Sequence, residues 1–209
     1  MKASQTTNKN ELVEVVAITI TVIGKFLFYD ILNQRFIYIV MLFAFWGFYV
    51  AIRVKHQPEI LGHWGFRLDN FRTVLKKVLP FGLLAVVSCI VIGVVNNTIN
   101  IHWHIIPILI IYPLFGVLQQ FLLLSFITGN LQAIGKINRF SIILITSALF
   151  GLLLYPEYWL ILGTFLLSIF YSHIFLSNRN LYVLGLFHGW LGTIFYYTVV
   201  GKDPFTQVF

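Results

Sequence analysis

The chain has 209 residues, of which 59% are hydrophobic and only 10% charged, and its mean hydropathy is +0.88. That balance excludes a soluble globular domain of this length and points to an integral membrane protein. The formal charge of +7 does not indicate a nucleic-acid partner, because the basic residues are scattered at the ends of apolar stretches and form no face.

Taken in order, the sequence predicts an all-α, polytopic transmembrane bundle of about seven spans, near residues 12–28, 36–52, 78–95, 105–127, 140–154, 159–176 and 181–200, with the fifth short at its outer end. The opening MKASQTTNKN places two lysines before an apolar run, as a signal peptide does. No small-x-small cleavage site follows, and Tyr29, Asp30 and Ile31 occupy the exit, so the first span is read as retained. Between the second and third spans lies the one long polar connection, RVKHQPEILGHWGFRLDNFRTVLKK. Its second half alternates apolar and basic positions as an interfacial amphipathic helix would, which places Trp64 and Phe66 at headgroup level. From Lys77 to Lys136 no Asp, Glu, Lys or Arg intervenes, and from Arg139 to Arg179 only Glu157 does. Such stretches are spans and tight turns. The single cysteine, Cys89, lies in a span and reads as a small buried hydrophobe. No repeat or second domain is evident, so residues 1–209 are read as one membrane domain.

Lys2, Lys9, Arg53, Lys55, Arg67, Arg72, Lys76, Lys77, Lys136, Arg139 and Arg179 fall on one side of this arrangement, against Lys25, Arg35 and Lys202 on the other. The positive-inside rule then predicts a cytoplasmic N-terminus and an external C-terminal tail, GKDPFTQVF; the membrane itself is expected to be a bacterial inner membrane. Trp103, Tyr155, Tyr158 and Trp159 occupy the outer span ends, where an aromatic belt is expected.

The candidate chemistry is intramembrane and uncharged. Gln119 and Gln120 interrupt the fourth span, and amides in hydrocarbon need partners, so at least one should face other helices or a wet cavity. His188 stands in LGLFHGWLG, whose Gly185, Gly189 and Gly192 share one helix face suited to close packing. A rise of about 1.5 Å per residue puts Gln119 about 9 Å and His188 about 10 Å from the inner face, so the two are level. Thr164, Ser168, Tyr171 and Ser172 form a polar stripe on the sixth span, and Ser147 adds a hydroxyl on the fifth. Interhelical hydrogen bonding alone would account for any one of these residues. His102-x-His104 sits in a loop with neither carboxylate nor thiolate near it in sequence, a weak metal signature.

The order of these features resembles the CAAX-protease and bacteriocin-processing family, also called Abi. That family carries Glu-Glu-x-x-x-Arg on one span, Phe-x-x-x-His on the next and His-x-x-x-Asn, or a related polar residue, on a later one. The corresponding positions here are Gln119, Gln120 and Leu124, then Phe150 and Leu154 (followed by Tyr155 and Pro156), then His188 and Gly192. GHWGFRLDN is similar to a Gly-(Leu/Phe)-Arg element that many members carry upstream, so the resemblance covers about residues 60–196. It implies an intramembrane endopeptidase fold in which the acidic pair activates water, directly or through a metal, with the histidines as ligands or oxyanion stabilisers.

In this chain only His188 keeps its family identity. Glutamine cannot act as a general base, and it is a poorer metal ligand than carboxylate. The sequence therefore leads to a cavity lined by Gln119, Gln120, Phe150, Leu154, Ser168, His188 and Gly192, with no confident catalytic residue, no metal and no cofactor. Its expected occupant is a partner's transmembrane helix or a lipid or isoprenoid-like ligand. An unorthodox CAAX-type endopeptidase acting on prenylated or membrane-embedded peptides is the alternative. Transport is disfavoured, since the polar residues weighed in the spans are neutral and no inverted repeat is apparent.

Overall fold

The computed structural model describes residues 2–205 and, among them, contains helices and no strand. The chain runs through α1 (Lys2–Lys25), extended by a π-helical stretch Phe26–Ile31, then α2 (Arg35–His56), the short α3 (Ile60–Trp64) and α4 (Phe71–Asn96). Next come α5 (Ile105–Gln120), which continues as π-helix through Phe121–Gly129 into α6 (Asn130–Ile134), then α7 (Arg139–Leu152), α8 (Tyr158–Ser177) and α9 (Leu181–Phe195), which ends in a π-helical Tyr196–Val200. The last residues of the tail GKDPFTQVF, 206–209, lie outside the described residues.

Five helical stretches are long and apolar enough to cross a membrane: Phe36–His56, Phe71–Asn96, Ile105–Ile134, Tyr158–Ser177 and Leu181–Val200. Their outward faces are hydrophobic, with Leu84, Ile110 and Leu114 among the exposed side chains, an arrangement that is costly in water and costless in lipid. The fifth expected span is a shorter apolar helix of 14 residues, α7. The first falls on α1, which carries Glu11 and Glu14 and is not one of the five. Local chemistry punctuates the helices as expected. Asn138 and Asn180 cap α7 and α9 by accepting from the backbone N–H of Ser141 and Val183.

Helices α5 and α9 are in backbone contact. A Cβ at Gly116 would stand 2.3 Å from the Gly185 carbonyl oxygen, and one at Gly189 would stand 2.4 Å from Pro113 N, so only glycine allows this approach. Gly192 takes no part in it. A Cβ there meets nothing within 4 Å, so the three-glycine face expected from the sequence is a two-glycine face.

The connection between α2 and α4 also differs from expectation. Its basic half, from Phe71, is the first part of α4 itself, and Trp64 does not lie at headgroup level. Trp64 is 1% exposed, packs edge-on against Phe121 and Phe126, and accepts a hydrogen bond on its carbonyl from Ser125 Oγ at 2.6 Å. Burial of a large aromatic outweighs the interfacial preference of its indole. The same connection is clasped to the α8–α9 turn, where Asn180 Nδ2 donates to Asn70 Oδ1 and to the Arg67 carbonyl, and Leu181 N–H donates to the Gly65 carbonyl.

Candidate functional site

Gln119 and Gln120 are the last residues of α5, directly before the helix widens into its nine-residue π stretch. Such widening re-aims side chains and is frequent at functional positions. The two amides part company here. Gln119 reaches α9, where its Oε1 lies 2.9 Å from His188 Nε2. Gln120 is fully buried, and neither of its amide atoms has a protein partner among the described residues.

His188 is held on a second side by Phe150 of α7, ring centroids 5.4 Å apart. Gln119 offers an oxygen, so His188 donates through Nε2–H and carries its lone pair on Nδ1. That Nδ1 is buried and has no protein partner, a state it shares with the hydroxyls of Ser147, Ser168, Tyr171 and Ser172 on α7 and α8. A buried polar atom left without a partner costs about 1–3 kcal/mol, so these groups favour an incoming polar atom.

His188 also lines a groove of about 280 Å³ between α4, α8 and α9. Gly192 opens into it beside Phe81, Leu84, Leu167 and Phe195, and Thr164 borders it while bonding back to the Leu160 carbonyl. Among the described residues, no carboxylate lines this groove.

Of the residues singled out from the sequence, Gln119 and Phe150 each meet His188, but neither lines the groove, where Gly192 joins His188 on the wall. Gln120 and Ser168 are buried in the bundle and line no part of the groove. Leu154 stands apart, in the turn after α7 one helical turn beyond Phe150, and it too is missing from the groove wall. Leu124, at the arginine position of the family motif, is wholly buried in the apolar core.

Sequence reasoning missed a second cavity of about 470 Å³ at the end of the bundle that holds Arg53 and His63. It is lined by Glu11, Glu14, Arg53, His63, Trp64 and Asn130 among others. Glu14 is 3% exposed and is satisfied by the hydroxyl of Tyr49 and by Asn130 Nδ2 at 2.7 Å, with Arg53 3.7 Å away. Arg179 Nη1 donates to the His63 carbonyl at 2.8 Å. Burial, then the guanidiniums of Arg179 and Arg53, hold the His63 imidazole below its ordinary pKa. A carboxylate inside the first apolar stretch was the available signal, since an ionisable residue there is seldom idle.

The fold and its apolar exterior define a polytopic helical membrane protein. Residues 100–194, which include both Gln119–Gln120 and His188, match the family model of type II CAAX prenyl endopeptidase Rce1-like proteins, so this stretch of the chain is similar to that family. The match begins downstream of GHWGFRLDN. No curated protein and no solved structure matches the chain.

Proposed function

We propose that this Rce1-like membrane protein binds an amphiphile, a lipid or isoprenoid-like molecule, with its apolar tail in the groove between α4, α8 and α9, and that it does not cleave peptide bonds. One observation carries this reading: the groove wall contains His188, tied to Gln119, and otherwise aliphatic and aromatic side chains with a few hydroxyls and a thiol, but no carboxylate. Apolar burial supplies affinity for a tail, and His188 Nδ1 can accept from a hydroxyl on the head. A partner's transmembrane helix, which would seat the side chains of one face in the groove, is the other candidate occupant. We also propose that the N-terminus is cytoplasmic, on the distribution of Lys and Arg.

The endopeptidase reading draws on the family match over residues 100–194. Hydrolysis there would rest on His188 and the Cys89 thiol, with no carboxylate in the groove and glutamines where a general base is needed. The full-length protein in nanodiscs, incubated with prenylated peptides and with transmembrane peptides, separates the two. Binding without turnover is expected. Turnover that disappears in His188→Ala overturns the proposal.

A further inference from the structure

His102 and His104 flank Trp103 in the loop between α4 and α5, and the fold brings to them a carboxylate that the sequence keeps 99 positions from His104. Asp203 Oδ2 lies 2.7 Å from His104 Nδ1 and 3.4 Å from His102 Nε2, and one ligating atom from each of the three residues falls within 4.8 Å of the others. We propose that these three side chains form a binding site for a divalent first-row transition metal, with Zn²⁺ as the reference ion, at the end of the bundle opposite Arg53 and His63.

The donor set is suited to such an ion, since two imidazoles and a carboxylate make a recurrent three-ligand set that leaves a fourth position open. Metal–ligand bonds of about 2.0–2.1 Å in tetrahedral geometry place ligand atoms roughly 3.3 Å apart. The His102–Asp203 separation already has that length, the His104–Asp203 separation needs to open by about half an ångström, and the two imidazole nitrogens, within 4.8 Å of each other, must close by up to about 1.5 Å, which a ring rotation of partly exposed histidines can supply. The second carboxylate oxygen is held from behind, because Tyr197 Oη donates to Asp203 Oδ1 at 2.5 Å and Phe205 N–H donates to it at 3.0 Å. Outer partners of this kind fix a ligand's orientation before the ion arrives.

The two segments that carry the ligands are also stitched together. Asn100 N–H donates to the Tyr197 carbonyl at 2.8 Å, Thr98 Oγ1 to the Thr198 carbonyl at 2.6 Å, and Asn100 Nδ2 to the Gly201 carbonyl at 3.3 Å. Burial is graded as an accessible site requires, with Asp203 nearly enclosed and the imidazoles 30% and 19% exposed. The competing account is a direct histidine–aspartate clasp that ties the end of the last helix to the α4–α5 loop without any metal.

The test uses the full chain, purified in mild detergent without a polyhistidine tag, stripped with chelator and titrated with ZnCl₂, with bound metal measured by elemental analysis after desalting. One Zn²⁺ per chain is expected, together with a rise in thermal midpoint on adding the ion. His102→Ala, which leaves the His104–Asp203 contact in place, should weaken binding by roughly tenfold or more and abolish the thermal shift. Asp203→Asn should do the same, and His173→Ala, on an exposed part of α8, should bind as the wild type does. If Asp203→Asn does not fold, His102→Ala decides the matter. Wild-type protein that retains no zinc above background, or a His102→Ala variant that binds as tightly as wild type, overturns the metal site in favour of the clasp.

Discussion

His188 Nε2 meets Gln119 Oε1 at 2.9 Å, joining α9 to the end of α5 across 69 positions of sequence, just where the α5 backbone widens into π-helix. The contact satisfies one nitrogen of the imidazole and leaves the other without a protein partner. Replacing Gln119 with leucine should therefore bare Nε2 and destabilise the protein by about 0.6–2 kcal/mol, the range for hydrogen bonds between membrane helices. Equilibrium unfolding in detergent would measure it. Ligand association should fall by more than this loss explains, because His188 would no longer be held in one tautomer.

The glycines divide by position. Gly189→Ala would push a methyl to within 2.4–2.5 Å of the Pro113 backbone and should force α5 and α9 apart, lowering the thermal midpoint sharply. Gly192→Ala adds the same methyl where nothing lies within 4 Å, and its midpoint should equal or exceed that of wild type.

Restoring carboxylates at the two glutamines should not restore proteolysis. In Gln119→Glu/Gln120→Glu the second carboxyl would enter a fully buried position, with Leu124 in the apolar core where the family motif has its arginine. A charge there has no counter-ion from that position, so the variant should fold poorly or hold the group protonated. Cleavage of a prenylated peptide by this double variant would show that the remaining site is complete.

The class of the protein was legible because hydrophobic runs, basic flanks and glycine spacing are local properties of sequence, and the depth of Gln119 against His188 follows from helical rise alone. What was not legible depends on where separate segments come together. Trp64 looks interfacial by type, yet it plugs the bundle because Phe121, Phe126 and Ser125 lie on the π stretch against it. Gly192 has the spacing of a packing residue but opens into the groove shared with α4 and α8, where a Cβ meets nothing within 4 Å. Glu14 could be seen as a charge in an apolar stretch, but its partners Tyr49, Arg53 and Asn130 come from three other parts of the chain. Leu154, aligned with a family histidine, lies clear of the groove because the groove walls come from α4, α8 and α9 and not from α7 or the turn that follows it.

Lys25, Tyr155, Glu157 and Lys202 gather at one end of the bundle, with Lys25 Nζ donating to the Tyr155 carbonyl and Lys202 paired with Glu157. The orientation proposed from the charge distribution would make this the external end. A reporter fused after Phe209 should be active only when exported. Activity of a cytoplasmic reporter at that junction would reverse the orientation.

The central claim is that the groove beside His188 holds an apolar ligand, and native mass spectrometry of wild type and Gly192→Leu purified side by side in mild detergent tests it most directly. Leucine at 192 fills open groove volume without touching the α5–α9 contact, so the variant should fold. The account predicts a lipid or isoprenoid-like adduct on the wild type that is lost or strongly reduced in the variant. Equal adduct occupancy on both proteins would contradict it.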